Sequence, residues 1–462
     1  MADSVALLAS FFPPVLTPSY LLALMPLVLE TIGLTLGAMF IAFCVSLPLG
    51  IAAGLRLPGT RPLLAVLTAL RSIPDLTLAI LCVIVFGIGP GAGLVALALY
   101  YSAAVAKIFA EVLRTAPQAP LRALQASGAS RLQIALFGLL PMKRADLLSF
   151  GAYEFECALR ASTVIGAVGG GGLGGELLGS LAAMDFPRVT TQLIVLVIVV
   201  AALDQCSLHL RRRPRGLLLL APLGAYAAIH YSPQLLGAAH AARVFAEMLP
   251  PQLSTEQFGA LARQLRETIC MGVAGTLGGT LIAMPASIVM ARNLTPVWLA
   301  WPLRRVMEIA RCIPEVAWGL ILIAIIGIGP MAGAVALGLH SAGCLARLFA
   351  EALENAPRAP QDAMSGIGAS PLAVAAYATL PLASGPIAVY SLFRLEWNLR
   401  MATVVGVIGA GGIGQALYEA QQLFFYHQMF AYILITATLC FVVDHIGDAL
   451  RRRFDVQVLP GC

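Results

Sequence analysis

Long apolar runs separated by short basic segments make up most of the chain, and they come in two sets. In the first set the runs predict spanning helices over about 31–54, 74–88, 91–110, 145–166 and 190–209, the shorter ones extending into flanking residues. The second set repeats the first at a displacement of 240 residues. Arg71-Ser-Ile-Pro74-Asp75 returns as Arg311-Cys-Ile-Pro314-Glu315, and Gly87-Ile-Gly89-Pro90 as Gly327-Ile-Gly329-Pro330. Lys107-Ile-Phe-Ala-Glu111 returns as Arg347-Leu-Phe-Ala-Glu351, and Leu140-Pro141 as Leu380-Pro381. The longest match sets Leu159-Arg160-Ala-Ser-Thr-Val-Ile-Gly166-Ala-Val-Gly169-Gly-Gly-Gly172-Leu-Gly174 against Leu399-Arg400-Met-Ala-Thr-Val-Val-Gly406-Val-Ile-Gly409-Ala-Gly-Gly412-Ile-Gly414. Matches of this length and constant register describe two homologous membrane halves enclosing a path, not a solenoid of short units.

With 59% hydrophobic and 11% charged residues, the chain has too little polar sequence to coat a soluble domain, so the bilayer is its solvent. The formal charge of +6 does not point to nucleic acid, because the arginines collect at the ends of apolar runs, where they mark the cytoplasmic side. Nine cysteines are scattered without a C-x-x-C pair and read as small packing residues, and the six histidines lack metal-ligand spacing. No basic n-region opens the chain, so the first spanning helix is expected to direct insertion.

Charge placement sets the topology. Arg56, Arg61 and Arg71 follow the first helix, Lys107 to Arg144 surround the segment between the third and fourth, and Arg211-Arg-Arg-Pro-Arg215 follows the fifth. These groups share one side if the N-terminus is outside. Five crossings would invert a second half joined directly, yet Arg292, Arg304, Arg305 and Arg311, and then Arg451-Arg-Arg453, repeat the first half's arrangement. The apolar stretch 217–231 is therefore expected to carry the chain back outside, with 232–262 as an external amphipathic linker. The expected fold is all-α and integral to the membrane. Two parallel five-helix repeats, 1–210 and 263–462, are joined through 211–262, which holds one extra transmembrane helix, making about eleven.

Between the third and fourth helices of each half, Pro120 and Pro360 open a short helix that Gly128 and Gly368 can end in a left-handed conformation. Ser130-Arg-Leu-Gln133 has capping-box spacing, and Ser370-Pro371 places proline at a first helical position. This segment resembles the E-A-A-x-x-x-G signature of binding-protein-dependent ABC importer permeases, whose short helix enters a groove on the ATPase subunit. It departs from the signature at Arg122 and Asp362, which stand at the Glu position, and at Leu124 and Met364, while Ala123, Ala363, Gly128 and Gly368 are kept. The opposite charges at equivalent positions imply two non-equivalent ATPase contacts.

The fourth helix of each half carries charge at membrane depth: Glu154, Glu156 and Arg160 in one, Arg394, Glu396 and Arg400 in the other. A central ionised group costs roughly 2.5 to 3.5 kcal/mol on insertion scales, so something must offset it. An intrahelical pair at i, i+4, Glu156 with Arg160 and Glu396 with Arg400, is one solution. A second reading sets the guanidinium forks of Arg160 and Arg400 on opposite sides of a central path to receive a small anion. The two are compatible, and Glu154 in register with Arg394 adds a pairing across the pseudo-dyad. Gly169, Gly171, Gly172 and Gly174, with Gly409, Gly411, Gly412 and Gly414, are not a phosphate loop, since no G-K-[ST] follows. They read as close helix packing, a sharp turn, or a gate.

The run F/L-E-x-x-L-R-x-x-T-V-x-G-x-x-G-x-G-G-x-G, with R-x-I-P-D/E and G-I-G-P, resembles phosphonate-type ABC importer permeases, which also handle phosphite and hypophosphite. The resemblance covers nearly the whole chain twice and implies a tandem fusion of two permease subunits of the type I importer kind. It implies a bacterial inner membrane location, two copies of a separate ATPase that bind ATP and Mg, and one periplasmic binding protein. No cofactor is expected on this chain, and no G-x-x-x-x-G-K-[ST] occurs in it. The competing readings are a proton-coupled secondary transporter of a small anion and an importer permease for another substrate such as methionine.

Overall fold

In the computed structural model, residues 10–55, 57–71, 73–212, 215–232 and 238–451 are described, and they are helical with no strand among them. The chain divides into two compact units, residues 11–247 and 248–460. The first contains α1 (Pro18–Gly54), α2 (Thr60–Arg71), α3 (Asp75–Phe86), α4 (Pro90–Arg114), α5 (Gln118–Ala126), α6 (Leu140–Ile165), α7 (Leu173–Ala182), α8 (Phe186–Arg212) and α9 (Arg215–His230). After α10 (Ala238–Met248) the second contains α11 (Thr255–Met290), α12 (Val297–Cys312), α13 (Glu315–Ile326), α14 (Pro330–Glu354), α15 (Arg358–Gly366), α16 (Leu380–Val405), α17 (Gly412–Gln422) and α18 (Tyr426–Arg451). The basic clusters at 211–215 and 451–453 fall partly outside the described residues.

The centre of each unit is α4 or α14, the helix whose apolar residues are buried along most of its length. Leu94, Leu97, Val105, Phe109 and Leu113 of α4 pack against Leu34, Ala38, Met39 and Ala42 of α1. In the second unit Leu345, Phe349 and Leu353 of α14 pack with Ala283 and Met290 of α11 and Ile387 of α16. The N-terminal extension of α1 beyond the expected start at 31 is also packed, through Leu24 and Val28 against Leu159, Leu173 and Leu196. α11 likewise starts early, at Thr255, where Ser254 and Gln257 form a reciprocal capping box. Hydropathy marks the apolar part of a helix and not its cap, which explains both differences.

The expectation that 74–88 lengthens into flanking residues is not met. α3 and α13 have 12 residues each, about 18 Å of helix against a hydrocarbon core of roughly 30 Å. In the second unit α12 meets α13 at 90°. The cause is local: Ile313 precedes Pro314 and is held extended at φ −78°, ψ 119°, and Gly327 at φ +102° ends α13.

Among the described residues seven helices are long and apolar enough to cross a membrane, and nine if each bent pair counts as one span. The expected eleven would add α6, whose charges disqualify it although its counterpart passes, and α9, which has only 16 residues. α9 packs on α1. A side chain at Gly37 would meet the backbone of Ala227 and Ala228, one at Gly224 would meet Phe40 and the Leu36 carbonyl, and one at Gly33 would meet Tyr231. Residue numbers rise along one helix as they fall along the other, so α9 runs antiparallel to α1, the direction needed to return the chain across the bilayer.

Gly37→Leu is expected to lower the thermal midpoint of the detergent-solubilised protein by wedging α9 off α1, an overpacking cost of about 1–3 kcal/mol. An unchanged melting curve would show that this contact is not part of the folded state.

Candidate functional site

At the end of the charged helix in each unit the chain makes the same sharp turn. After α6 a widened turn over Gly166–Gly170 leads into Gly169 at φ +99°, Gly171 at +83° and Gly172 at +76°. After α16 the same turn occupies Gly406–Ala410, with Gly409 at +108°, Gly411 at +86° and Gly412 at +73°. An L side chain in this region costs roughly 1–2 kcal/mol per residue, so glycine is the residue that makes the turn. Gly414 serves close approach instead, since a β-carbon there would run into the Thr403 carbonyl oxygen, and Gly174 lies directly against Gly166.

The helix that follows each turn starts with exposed backbone N–H groups and the positive end of its dipole. The first helix of the unit satisfies both. Glu30 accepts the Gly172 N–H at 2.8 Å and the Thr31 hydroxyl accepts the Leu173 N–H at 2.9 Å. In the second unit Glu267 accepts from Gly412 at 3.0 Å and Thr268 from Ile413 at 3.0 Å. The sequence reading missed these residues. Their signal is Glu30-Thr31-Ile32 returning as Glu267-Thr268-Ile269, three positions out of the register that the other motifs share.

Around the charged helix of the second unit the structure assembles a buried polar cluster. Glu315, of the R-x-I-P-E motif, receives Trp397 Nε1 at 2.9 Å and Arg394 Nη2 at 3.2 Å, and His340 Nε2 lies 3.2 Å away. Arg394 Nε donates to Ser341 Oγ at 2.8 Å, and Asn398 Nδ2 donates to Thr276 Oγ1 at 2.9 Å. Arg400 turns elsewhere: its Nη2 meets both oxygens of Asp444 on α18, at 3.1 and 3.2 Å. Six residues place Arg394 and Arg400 about 120° apart around α16, so they meet different neighbours. Glu396, four residues before Arg400, packs against Gly447 of α18.

The first unit has the same backbone positions with different chemistry. Glu154 stands where Arg394 stands, Asp75 for Glu315, Tyr100 for His340, Tyr101 for Ser341 and Cys157 for Trp397. Glu154, Glu156 and Arg160 are half-buried. Arg71 acts electrostatically on Glu154, and Arg160 Nη2 lies 3.7 Å from Cys157 Sγ. Of the side chains that sequence reasoning passed over, Asp444 had a visible signal: it recurs in register as Asp204.

The elbows form as capping rules require, with one shift. α5 and α15 begin at Gln118 and Arg358, two residues before Pro120 and Pro360, so the prolines occupy the third position, where the N–H is also without an intrahelical acceptor. Gly128 at φ +85° and Gly368 at +84° end them, with Ala129 N–H donating to Leu124 O and Ala369 N–H to Met364 O, both at 3.1 Å. Ser130 and Gln133 form the full capping box. A helix starts at Pro371, where Ser370 Oγ accepts the Ala373 N–H at 3.3 Å. Leu121 and Gln361 face inward, while Arg122, Ala123 and Gly128, and Asp362, Ala363 and Gly368, are exposed. Among the described residues no group of three or more His, Cys, Asp or Glu is placed to hold a metal.

Residues 46–212 and 283–456 both match the family described as binding-protein-dependent transport system inner membrane component. The chain is 28% identical over 480 residues to the phosphate-import permease protein PhnE of Mycolicibacterium smegmatis, covering 97% of this chain and 88% of that one. It is 35% identical over 209 residues to the phosphite transport system permease protein PtxC of Stutzerimonas stutzeri, covering 45% and 75%. Among solved structures, the MetNI methionine ABC transporter in inward-facing conformations is 22% identical at a TM-score of 0.41, over 44% of this chain and all of that one.

Asp444→Ala strands the Arg400 guanidinium in a buried site and is expected to cost about 3–5 kcal/mol, whereas replacing both partners by Met and Leu is expected to recover most of that loss. Thermal unfolding of the two singles and the double measures it, and strictly additive losses would show that the two residues are not coupled.

Proposed function

We propose that this chain, which belongs to the family of binding-protein-dependent transport system inner membrane components, supplies both permease halves of an importer for a small phosphorus oxyanion. It is a multi-pass inner membrane protein, and its family places an ATPase and a substrate-binding protein beside it. The substrate class is the one the relatives' names share, phosphate in one and phosphite in the other. Phosphonate and hypophosphite belong to the same chemistry.

The observation that carries the reading is the pair of exposed, glycine-ended elbows, one in each unit and in register. We assign one ATPase copy to each, so that two copies bind ATP and Mg. Arg122 on one elbow and Asp362 on the other give the two contacts opposite charge, and an asymmetric pair of docking grooves follows. The charged helices line the path in this reading, with Arg160, and Arg400 once it exchanges Asp444 for the anion, as guanidinium donors and Glu154, Glu156, Arg394 and Glu396 setting the charge around them. The left-handed glycines from Gly169 and from Gly409 form the outer turn, held by Glu30 and Glu267. A gate there would move by releasing these two carboxylates. Proton-coupled uptake by the isolated chain is the weaker reading, because family membership supports a binding protein and an ATPase.

Reconstitution with the ATPase and the binding protein tests this directly. ATP turnover is expected to rise when the binding protein is loaded with a phosphorus oxyanion, and proton-driven uptake by the chain alone would replace the reading. Gly128→Val with Gly368→Val forces valine to positive φ, at about 1–2 kcal/mol each, and is expected to reduce stimulated turnover and transport together. Wild-type coupling in that variant would remove the docking role. Arg160→Gln is expected to lower transport with the complex still assembled, and unchanged transport would remove the anion role.

A further inference from the structure

The helix before the buried Glu315 is the least explained surface of the second unit. α12 is amphipathic and meets α13 at 90°. The 90° bend means that α12 and α13 cannot both run along the bilayer normal, and a helix that lies along the surface carries aromatic and basic side chains. α12 has the side chains for that position. Trp298 and Trp301 are 74% and 58% exposed, Ile309 is exposed further along, and of the whole helix only Ala300 is buried. Indole rings that stand out from a membrane protein belong at the headgroup level, where one edge is apolar and the other wet.

The helix is also cationic. Three arginines against Glu308 leave it a charge of +2 over 16 residues. The Arg305 guanidinium lies 5.7 Å over the Trp301 ring and pairs with Glu308 at 2.5 Å, so a guanidinium sits on the aromatic face. This arrangement is confined to the second unit. All four tryptophans lie there, and the counterpart α2 has none.

α12 is tied to the elbow of its own unit. Arg304 bonds the Met290 carbonyl and pairs with Glu354 at 2.6 Å. Glu354 also accepts the Arg292 N–H at 2.8 Å, and Asn293 donates to Leu353 O at 3.0 Å and to Gln361 Oε1 at 3.4 Å. Gln361 is the buried residue of α15. A side chain at Gly343 of α14 would collide with the Met307 carbonyl, so α12 and α14 cross in direct backbone contact. A load on α12 therefore reaches α15 through short, bonded steps.

We propose that α12 is an interfacial helix of the cytoplasmic leaflet that binds the phosphodiester headgroup of an anionic phospholipid against Trp301 and Arg305, and that this contact bears on the adjacent elbow. The charge and the aromatic rim favour lipid over a second copy of the chain. The full chain in phosphatidylcholine vesicles tests it, with phosphatidylglycerol or phosphatidylcholine brominated near the headgroup end of the acyl chain at equal fraction. Brominated phosphatidylglycerol is expected to quench tryptophan emission more strongly. Trp298→Phe with Trp301→Phe is expected to remove the excess, and Arg305→Gln to lower the headgroup preference about fivefold with emission retained. Equal quenching by the two headgroups, an excess that survives the double Phe variant, or an excess displaced by inorganic phosphate would each overturn the proposal. None of these readouts depends on transport, so they stand apart from the identity of the substrate.

Discussion

No water reaches the centre of a bilayer, so each polar group placed there must be satisfied by the protein itself. That requirement organises both units. The turn after the charged helix leaves N–H groups open at the start of α7 and α17, and a Glu-Thr pair on the first helix of each unit closes them. The carboxylate of Glu315 at the head of α13 is held by an arginine, an indole and an imidazole. Arg400 is held by Asp444. Each solution joins helices that are far apart in sequence, so polar satisfaction and tertiary structure are the same set of contacts.

The two units share a backbone but not an interior. Where the second has Glu315, His340 and Arg394, the first has Asp75, Tyr100 and Glu154. The carboxylate at the head of the short helix is kept in both, and the groups around it change from an imidazole and a guanidinium to a phenol and a second carboxyl group. A duplicated pair of identical subunits has no means of making this difference, because symmetry gives each half the same residue. Fusion into one chain releases that constraint. The opposite charges of Arg122 and Asp362 on the elbows, and the tryptophans confined to α12, belong to the same division of labour.

The short helices α3 and α13 explain why the charged helix is tolerated. They stop well short of a full span and turn at Pro74 or Pro314 on one side and at Gly87 or Gly327 on the other. In the second unit this places Glu315 at the depth where α16 presents Arg394. The carboxylate of the R-x-I-P-E motif and the charge of the E-x-x-L-R stretch were thus legible as separate motifs, but their meeting was not.

Much of the organisation was readable along the chain, because it depends on local properties. Apolar run length, the side on which arginines collect, glycines that reach positive φ, and the Ser130 capping box are decided within a few residues, and the repeat showed all but the capping box twice. What tertiary structure alone decided is which partner each charge takes. Arg400 had a carboxylate four residues away on its own helix, and the structure also joins it to Asp444, 44 residues on. Arg394 bonds to Glu315, 79 residues back. A helix face names a direction and not a neighbour, so pairing follows from how helices cross, and crossing is set by packing that no single segment contains.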